Sequence, residues 1–276
     1  MTINCKGKLI DLSTPKVMGI LNVTPDSFYD GGTYKDESEI LKQVETMLSE
    51  GATFIDVGGY SSRPGADEVS EQEELKRVVP VVELILKYFP DTLISVDTFR
   101  SEVAKQSIEA GAAMVNDISA GKLDDNMMST IGKLGVPYIM MHMKGNPQTM
   151  QQQTDYDDLL KDINFYFAER ITAAHKAKIN DIIIDPGFGF AKTLEQNYEL
   201  LNHMELLQIT DQPILAGVSR KSMIYKTLGT TADNALNGTT ALHMIALEKG
   251  TKILRVHDVK EAVECVTLFN QLNFIN

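Results

Sequence analysis

The stretch EKGTKILRVHDV, residues 248–259, decides the fold. An amphipathic segment closes on Gly250, an apolar and β-branched run follows, and polar residues end it. Glycine suits the left-handed position just past a helix, so the phrase reads as helix, turn, buried strand and polar loop. It recurs along the chain. SEG-ATFIDVGG turns at Gly51, EAG-AAMVNDISAG at Gly111, KLG-VPYIMMHM at Gly135 and KIN-DIIIDPGFG at Asn180. Three further strands fit KVMGIL at 16–21, DTLISV at 91–96 and QPILAGVS at 212–219, which makes eight.

Helical periodicity fills the gaps. Residues 38–49 put Ile40, Val44, Met47 and Leu48 on one face, with Asp36 placed to cap them and Glu39 at the third helical position. Ser70 and Glu73 have capping-box spacing ahead of Leu75, Val78, Val82 and Ile85. Residues 100–110, 124–133, 157–178, 194–206, 235–249 and 258–271 read as helices too. Apolar strands alternating with amphipathic helices mean parallel strands joined by crossover helices. Eight such units in about 250 residues point to an α/β chain folded as a (β/α)8 TIM barrel. An open doubly wound sheet is the other arrangement compatible with the pattern. The opening residues, with CKGKLIDL, suggest a short N-terminal β-hairpin under the barrel, and nothing linker-like divides residues 1–276 into more than one domain.

Composition narrows the function classes. Hydrophobic residues make up 43% and charged residues 23% of the chain, as in ordinary globular domains, and the formal net charge is −12. A generally acidic surface disfavours nucleic acid and anionic membranes as partners. The two cysteines, Cys5 and Cys265, form no metal or disulfide pattern and fit a reducing, cytoplasmic setting. No apolar run is long enough for a signal peptide or a membrane span.

In a (β/α)8 barrel, chemistry gathers at the C-terminal ends of the strands. Those ends carry Asn22, Asp56, Asp97, Asn116 with Asp117, His142, Asp185, Arg220 with Lys221, and Arg255 with His257. A lone Asp after a strand is often only a helix cap, and Asp97 and Asp117 are open to that reading. Eight polar ends together outline one mouth with two electrostatic halves. Asp97, Asn116 and Asp185 suit a flat heterocycle edged with amino and amide groups. The other half is cationic: Arg63, Arg220, Lys221, Arg255 and His257. Arg255 and His257 alternate with apolar neighbours, point the same way and call for an anion, and arginine forks match phosphate oxygens. Three loops, NVTPDSFYDGG (22–32), GGYSSRPGA (58–66) and DPGFGF (185–190), have the composition of mobile lids at such a mouth.

The motifs GILNVTPDSFYDGG, DVGGYSSRPGA, VDTF, VNDISA, MHMKGNP, DPGFGFAKT, GVSRKS and RVHDV, in this order, resemble the dihydropteroate synthase family of folate biosynthesis. The resemblance implies a barrel, often a homodimer, in which para-aminobenzoate is joined to 6-hydroxymethyl-7,8-dihydropterin pyrophosphate with help from Mg2+. The amine pocket of that family is the target of sulfonamide antibiotics. Carried over, Asp97, Asn116, Asp185 and Lys221 contact the pterin, and Met140 lines its slot. Arg255 and His257 take the pyrophosphate, with Arg63 approaching it, and Asn22 lies near Mg2+. Ser62, Pro64, Phe190, Lys221 and Ser222 shape the aminobenzoate pocket. One departure stands out. The family usually reads GGESTRPG where this chain has GGYSSRPG, so Tyr60 replaces a Glu and Ser62 a Thr.

The implied chemistry is an SN1-like displacement, with no Ser or Cys nucleophile, in which cations stabilise the departing diphosphate and carboxylates stabilise the carbocation. Closure of the 22–34 and 60–68 loops over the pyrophosphate would make binding ordered, pterin first. Two other readings share the barrel: a pterin-binding methyltransferase, which would not need NVTPDSF, SSRPG or the Arg-x-His pair, and a silent pterin-binding homologue, which would lose them. His142, His175, His203 and His243 read as packing or surface residues.

Overall fold

The computed structural model describes residues 1–23, 34–60 and 69–273. Ser62, Arg63 and Pro64, and the body of the first loop, lie outside the described residues. Eight parallel strands close on themselves in the order β10-β3-β4-β5-β6-β7-β8-β9, which settles the barrel over the open sheet. They are β3 (Lys16–Asn22), β4 (Phe54–Gly58), β5 (Leu93–Asp97), β6 (Met114–Asp117), β7 (Tyr138–Met141), β8 (Ile182–Asp185), β9 (Ile214–Ala216) and β10 (Thr251–Val256). The helices between and after them are α1 (Tyr34–Ser49), α2 (Glu71–Tyr88), α3 (Ser101–Glu109), α4 (Met127–Leu134), α5 (Leu159–Lys176), α6 (Leu194–Asn202), α7 (Ser222–Thr227), α8 (Leu236–Glu248) and α9 (Val259–Asn273).

Period-two alternation sorts every strand into two faces. Val17, Ile55, Ile94, Val115, Tyr138, Ile182 and Leu254 pack outward against the helices. Met18, Phe54, Leu93, Met114, Ile139, Ile183, Leu215 and Ile253 fill the lower lumen. Below them lies the expected hairpin, β1 (Thr2–Cys5) paired antiparallel with β2 (Lys8–Asp11). Its Ile3, Cys5, Ile10 and Leu12 join the same buried layer. Lys6 donates to the Gly111 carbonyl at 2.9 Å, and the Asn4 amide to Asp181 at 3.1 Å, which fastens the hairpin to two turns at the barrel base. Each buried aliphatic side chain there contributes about 1.5–3 kcal/mol.

The turn chemistry follows the sequence with two differences. Gly250 takes φ 98° after α8, and the other expected glycines are also left-handed. Asn180 is not: α5 ends at Lys176, and Lys178 adopts φ 68° instead. The start of α1 also precedes the expected Asp36 cap, at Tyr34. Ser70 caps α2 through the Glu73 amide at 3.2 Å. The full reciprocal capping box, however, is Thr193 with Gln196 at α6.

Helix α4 approaches the end of α5 so closely that a Cβ on Gly132 would lie 1.8 Å from the Ala177 carbonyl oxygen. Backbone cannot yield as a side-chain tip does. Gly132→Ala is therefore expected to cost roughly 1–3 kcal/mol, read as a lower denaturation midpoint at unchanged slope.

Candidate active site

Above the apolar floor, the inward positions of the strands turn polar. The same parity that buries Phe54 and Ile253 brings Asn22, Asp56, Asp97, Asn116, Asp185 and Arg255 to the lumen side. Arg255 sits at the centre of a network. Its Nε donates to Asp56 Oδ2 at 2.5 Å and its NH2 to Asp97 Oδ2 at 2.7 Å. Asn116 Nδ2 donates to the same Asp56 oxygen at 3.1 Å. Four strands, β4, β5, β6 and β10, are thereby tied across the lumen. The anion that Arg255 calls for in the sequence is met, in this structure, by two carboxylates of the opposite half.

Asp56 is the residue whose weight the sequence reading missed. It is fully buried, and its Oδ1 has no hydrogen-bond partner among the described residues. Its signal was a carboxylate at an inward position inside the apolar run FIDVGG. Desolvation and the charge of Asp56 push Asp97 up to about 7, against the pull of Arg255. Desolvation works to lower the Arg255 pKa, but Asp56 and Asp97 hold it above its usual range, so the guanidinium is permanently charged.

The second cluster surrounds the β8 loop. Asp185 is buried, and Gly187 N donates to its Oδ1 at 2.8 Å. Burial raises the Asp185 pKa, while Lys221, the Gly187 amide and Arg255 work against that rise. Lys221 donates to the Phe188 carbonyl and holds its ammonium 4.8 Å from the Phe190 ring centroid. Desolvation brings Lys221 down to about 8, with Asp185 opposing. Phe190 also packs against Met141 and Ile118, a small apolar shelf beside the polar rim. Ser222 opens α7, one residue beyond Lys221.

Beside Arg255, His257 accepts or donates through Nδ1 to Ser219 Oγ at 3.1 Å, and its backbone amide donates to the same oxygen at 3.2 Å. Ser219 thus orients the exposed imidazole at the rim.

Two expectations change, those for Met140 and Arg220, and the open reading of Asp117 is decided. Met140 does not face the lumen: it is buried among the helix-facing residues, and Met141, one position on, takes the inward place. Counting by twos from Ile139 would have found it. Arg220 does not join the cationic half. It grips Asp258 through two bonds of 2.8 and 2.7 Å and donates to the Ala232 and Asp233 carbonyls, from a left-handed backbone at φ 53°. It is a clamp on the loop before α8. Asp117 is a loop organiser, accepting from Tyr138 Oη at 2.5 Å and from the Ser119 and Gly121 amides, both at 2.7 Å. Tyr60, the departure in the second loop, packs edge-on against Phe99 at 5.3 Å between centroids, with the Arg100 guanidinium 5.7 Å from its ring.

Among the described residues no cluster of three or more His, Cys, Asp or Glu side chains could cage a metal ion. Asn22 ends β3 on the lumen side, and its neighbour in register along β4 lies two residues beyond Asp56. Its amide oxygen and the unpartnered Asp56 Oδ1 are hard oxygen donors. That sparse set matches the habit of Mg2+, which takes one or two protein oxygens and completes its shell with phosphate and water.

Comparison with known proteins gives a consistent picture. A family profile described as pterin-binding enzyme matches residues 18–257. The dihydropteroate synthase of Escherichia coli K12 is 46% identical over 268 residues, 96% of this chain and 94% of that protein. The crystal structure of Yersinia pestis dihydropteroate synthase in complex with a sulfonamide drug superposes with a TM-score of 0.92 at 46% identity, covering 99% of both chains. The Xanthomonas albilineans dihydropteroate synthase with 4-aminobenzoic acid gives a TM-score of 0.91 at 38% identity, covering 99% of this chain and 98% of the other.

Proposed function

The chain belongs to the pterin-binding enzymes, and from that premise we propose that its barrel mouth makes 7,8-dihydropteroate, joining 6-hydroxymethyl-7,8-dihydropterin pyrophosphate to para-aminobenzoate. The dihydropteroate synthase names of relatives at 46% identity over nearly the whole chain support this transferase activity. The observation that carries it in this structure is the Arg255 network, which sets a carboxylate–amide rim beside a fixed cation within one opening.

The displacement follows from those charges. The C–O bond to diphosphate breaks with its electron pair leaving on oxygen, and the electron-rich dihydropterin takes up the positive charge on its methylene carbon. The amine lone pair of para-aminobenzoate then forms the C–N bond, and the extra proton on that nitrogen passes to water or to the departing diphosphate. Arg255, His257 and Arg63 stabilise the leaving oxygens; Asp97 and Asp185 stabilise the cation and, with Asn116 and Lys221, hold the ring. Phe190, Met141 and Ile118 wall the site against water. Ser62, Pro64, Phe190 and Ser222 shape the amine pocket. Mg2+, held by Asn22 with Asp56 Oδ1 as a second candidate donor, would neutralise diphosphate charge.

The test is diphosphate release. Release that needs both substrates, falls at least tenfold on chelation and returns with Mg2+ is the expected result. Release independent of para-aminobenzoate would refute the reading, and indifference to chelation would remove Mg2+ from it. The methyltransferase alternative predicts no diphosphate at all.

A cytoplasmic homodimer completes the proposal. Two buried free cysteines suit a reducing compartment, and no described helix is long and apolar enough to cross a membrane. Leu206, Ile209, Leu228, Leu268 and Leu272 leave large apolar side chains exposed on the 204–210 turn, just past α7 and on α9, the kind of surface a subunit interface covers. Sedimentation should give twice the mass of the 30.6 kDa chain.

A further inference from the structure

The tail of the DPGFGFAKT motif has no part in the chemistry above, yet its lysine is among the most enclosed cations of the molecule. Lys192 is 4% exposed. Its Nζ lies 3.0 Å from each of three groups: the Gly187 carbonyl, the Phe190 carbonyl and His142 Nδ1. An ammonium has three N–H donors and no acceptor, so three acceptors saturate it.

The loop it underlies is unusual. Gly187, Gly189 and Ala191 alternate left-handed backbone, at φ 71°, 81° and 50°. Glycine takes that region without strain, whereas Ala191 holds it only where its surroundings determine it. Gly189 N donates to Asn197 Oδ1 at 2.6 Å, and Tyr156 Oη donates to the Ala191 carbonyl at 2.8 Å. Lys221 takes the Phe188 carbonyl, while Lys192 takes the carbonyls of Gly187 and Phe190. The two lysines therefore hold three carbonyls of one loop between them.

His142 completes the post. It is 2% exposed and packs edge-on to Tyr166 at 4.8 Å. With Nδ1 accepting from an ammonium, its proton sits on Nε2; the residue lines a cavity of about 280 Å3 together with Lys122 and Lys144. Burial and the surrounding lysines keep this imidazole neutral, its pKa well below the usual range. Desolvation brings Lys192 down to about 7, with Asp185 opposing, so the ammonium is the resident form below that pH; a neutral amine accepting from Nδ1–H gives the opposite tautomer.

We propose that Lys192, as an ammonium saturated by Gly187, Phe190 and His142, is a positioning residue for the reaction: it fixes the loop that presents Phe188 O to Lys221 and Phe190 to the amine substrate. The kinetic part of this proposal rests on the function proposed above; the hydrogen-bond part does not. Asp185, Lys221, Lys144 and Lys122 are the other charged groups facing this centre.

Side-chain nitrogen NMR of the wild-type protein at pH 6 tests the bonding without any turnover. A neutral Nε2–H tautomer at His142 and a slowly exchanging ammonium signal from Lys192 are expected. An Nδ1–H tautomer, or no such ammonium, would overturn the proposal, and this arm stands even where a variant fails to fold. Once wild-type diphosphate release has been shown to need para-aminobenzoate, folded Lys192→Met is expected to raise KM for para-aminobenzoate tenfold or more. His142 of that variant should also protonate at a higher pH than in the wild type. A folded Lys192→Met with wild-type KM and kcat overturns the positioning role, whereas a wild type without dihydropteroate synthesis overturns the function and leaves the NMR result intact.

Discussion

Arg255→Ala is expected to lower kcat/KM by about 10²–10³-fold, the usual effect of deleting one donor aimed at developing charge. The structure adds a second consequence that the sequence alone would not predict. Asp56 has no exposure and loses its 2.5 Å guanidinium bond, so a buried carboxylate is left without its counter-ion. Breaking such a pair costs about 3–5 kcal/mol of stability. The two effects separate in a double variant. Adding Asp56→Asn removes the uncompensated charge and should recover most of the lost stability, while turnover stays low. Recovery of both together would mean that Arg255 serves only the scaffold. Pterin affinity should also fall in Arg255→Ala, because Asp97 takes its orientation from the same guanidinium at 2.7 Å. Sequence reasoning, which assigned Arg255 to diphosphate and Asp97 to the ring, kept those roles apart.

Asp185→Asn keeps the shape of the side chain and removes its charge. Hydrogen bonds to a charged group are worth about 1.5–3 kcal/mol each, so affinity for the dihydropterin diphosphate should drop by about 10–100-fold, measured by calorimetry in the absence of amine. The variant also alters Lys221. Asp185 supports the Lys221 ammonium against desolvation, which already brings it down to about 8. Without that carboxylate the Lys221 pKa falls further. The alkaline limb of the kcat/KM profile, where Lys221 loses its proton, should therefore move to lower pH. A variant that binds pterin as the wild type does would reverse the division of roles between Asp185 and Arg255.

The barrel was legible because its signals are local. Gly51, Gly111, Gly135 and Gly250 punctuate helix-to-strand turns, and strand parity repeats every two residues. What stayed hidden depends on contacts between distant positions. Arg255 meets Asp56 across 199 residues of sequence and Asp97 across 158. No spacing rule reveals that a cation of one half is partnered by carboxylates of the other. Arg220 misled for the same reason, since its partner Asp258 lies 38 residues away. Met140 was misplaced by one residue, which in a strand exchanges inside for outside. Lys192 carries no signal of its own within DPGFGFAKT, because its value lies in three acceptors that only the folded loop brings together. Helix α7 was missed because six residues, Ser222–Thr227, are too few to show a period.

The little hairpin beneath the strands makes the barrel a cul-de-sac. With Ile3, Ile10 and Leu12 stopping the lower end and Phe54 and Met114 packed above them, the described residues leave the upper end as the doorway. On the ordered binding that the resemblance implies, traffic through it would be a queue: the deeper guest first, the second on its threshold, and the departing diphosphate sharing the exit with whatever arrives next.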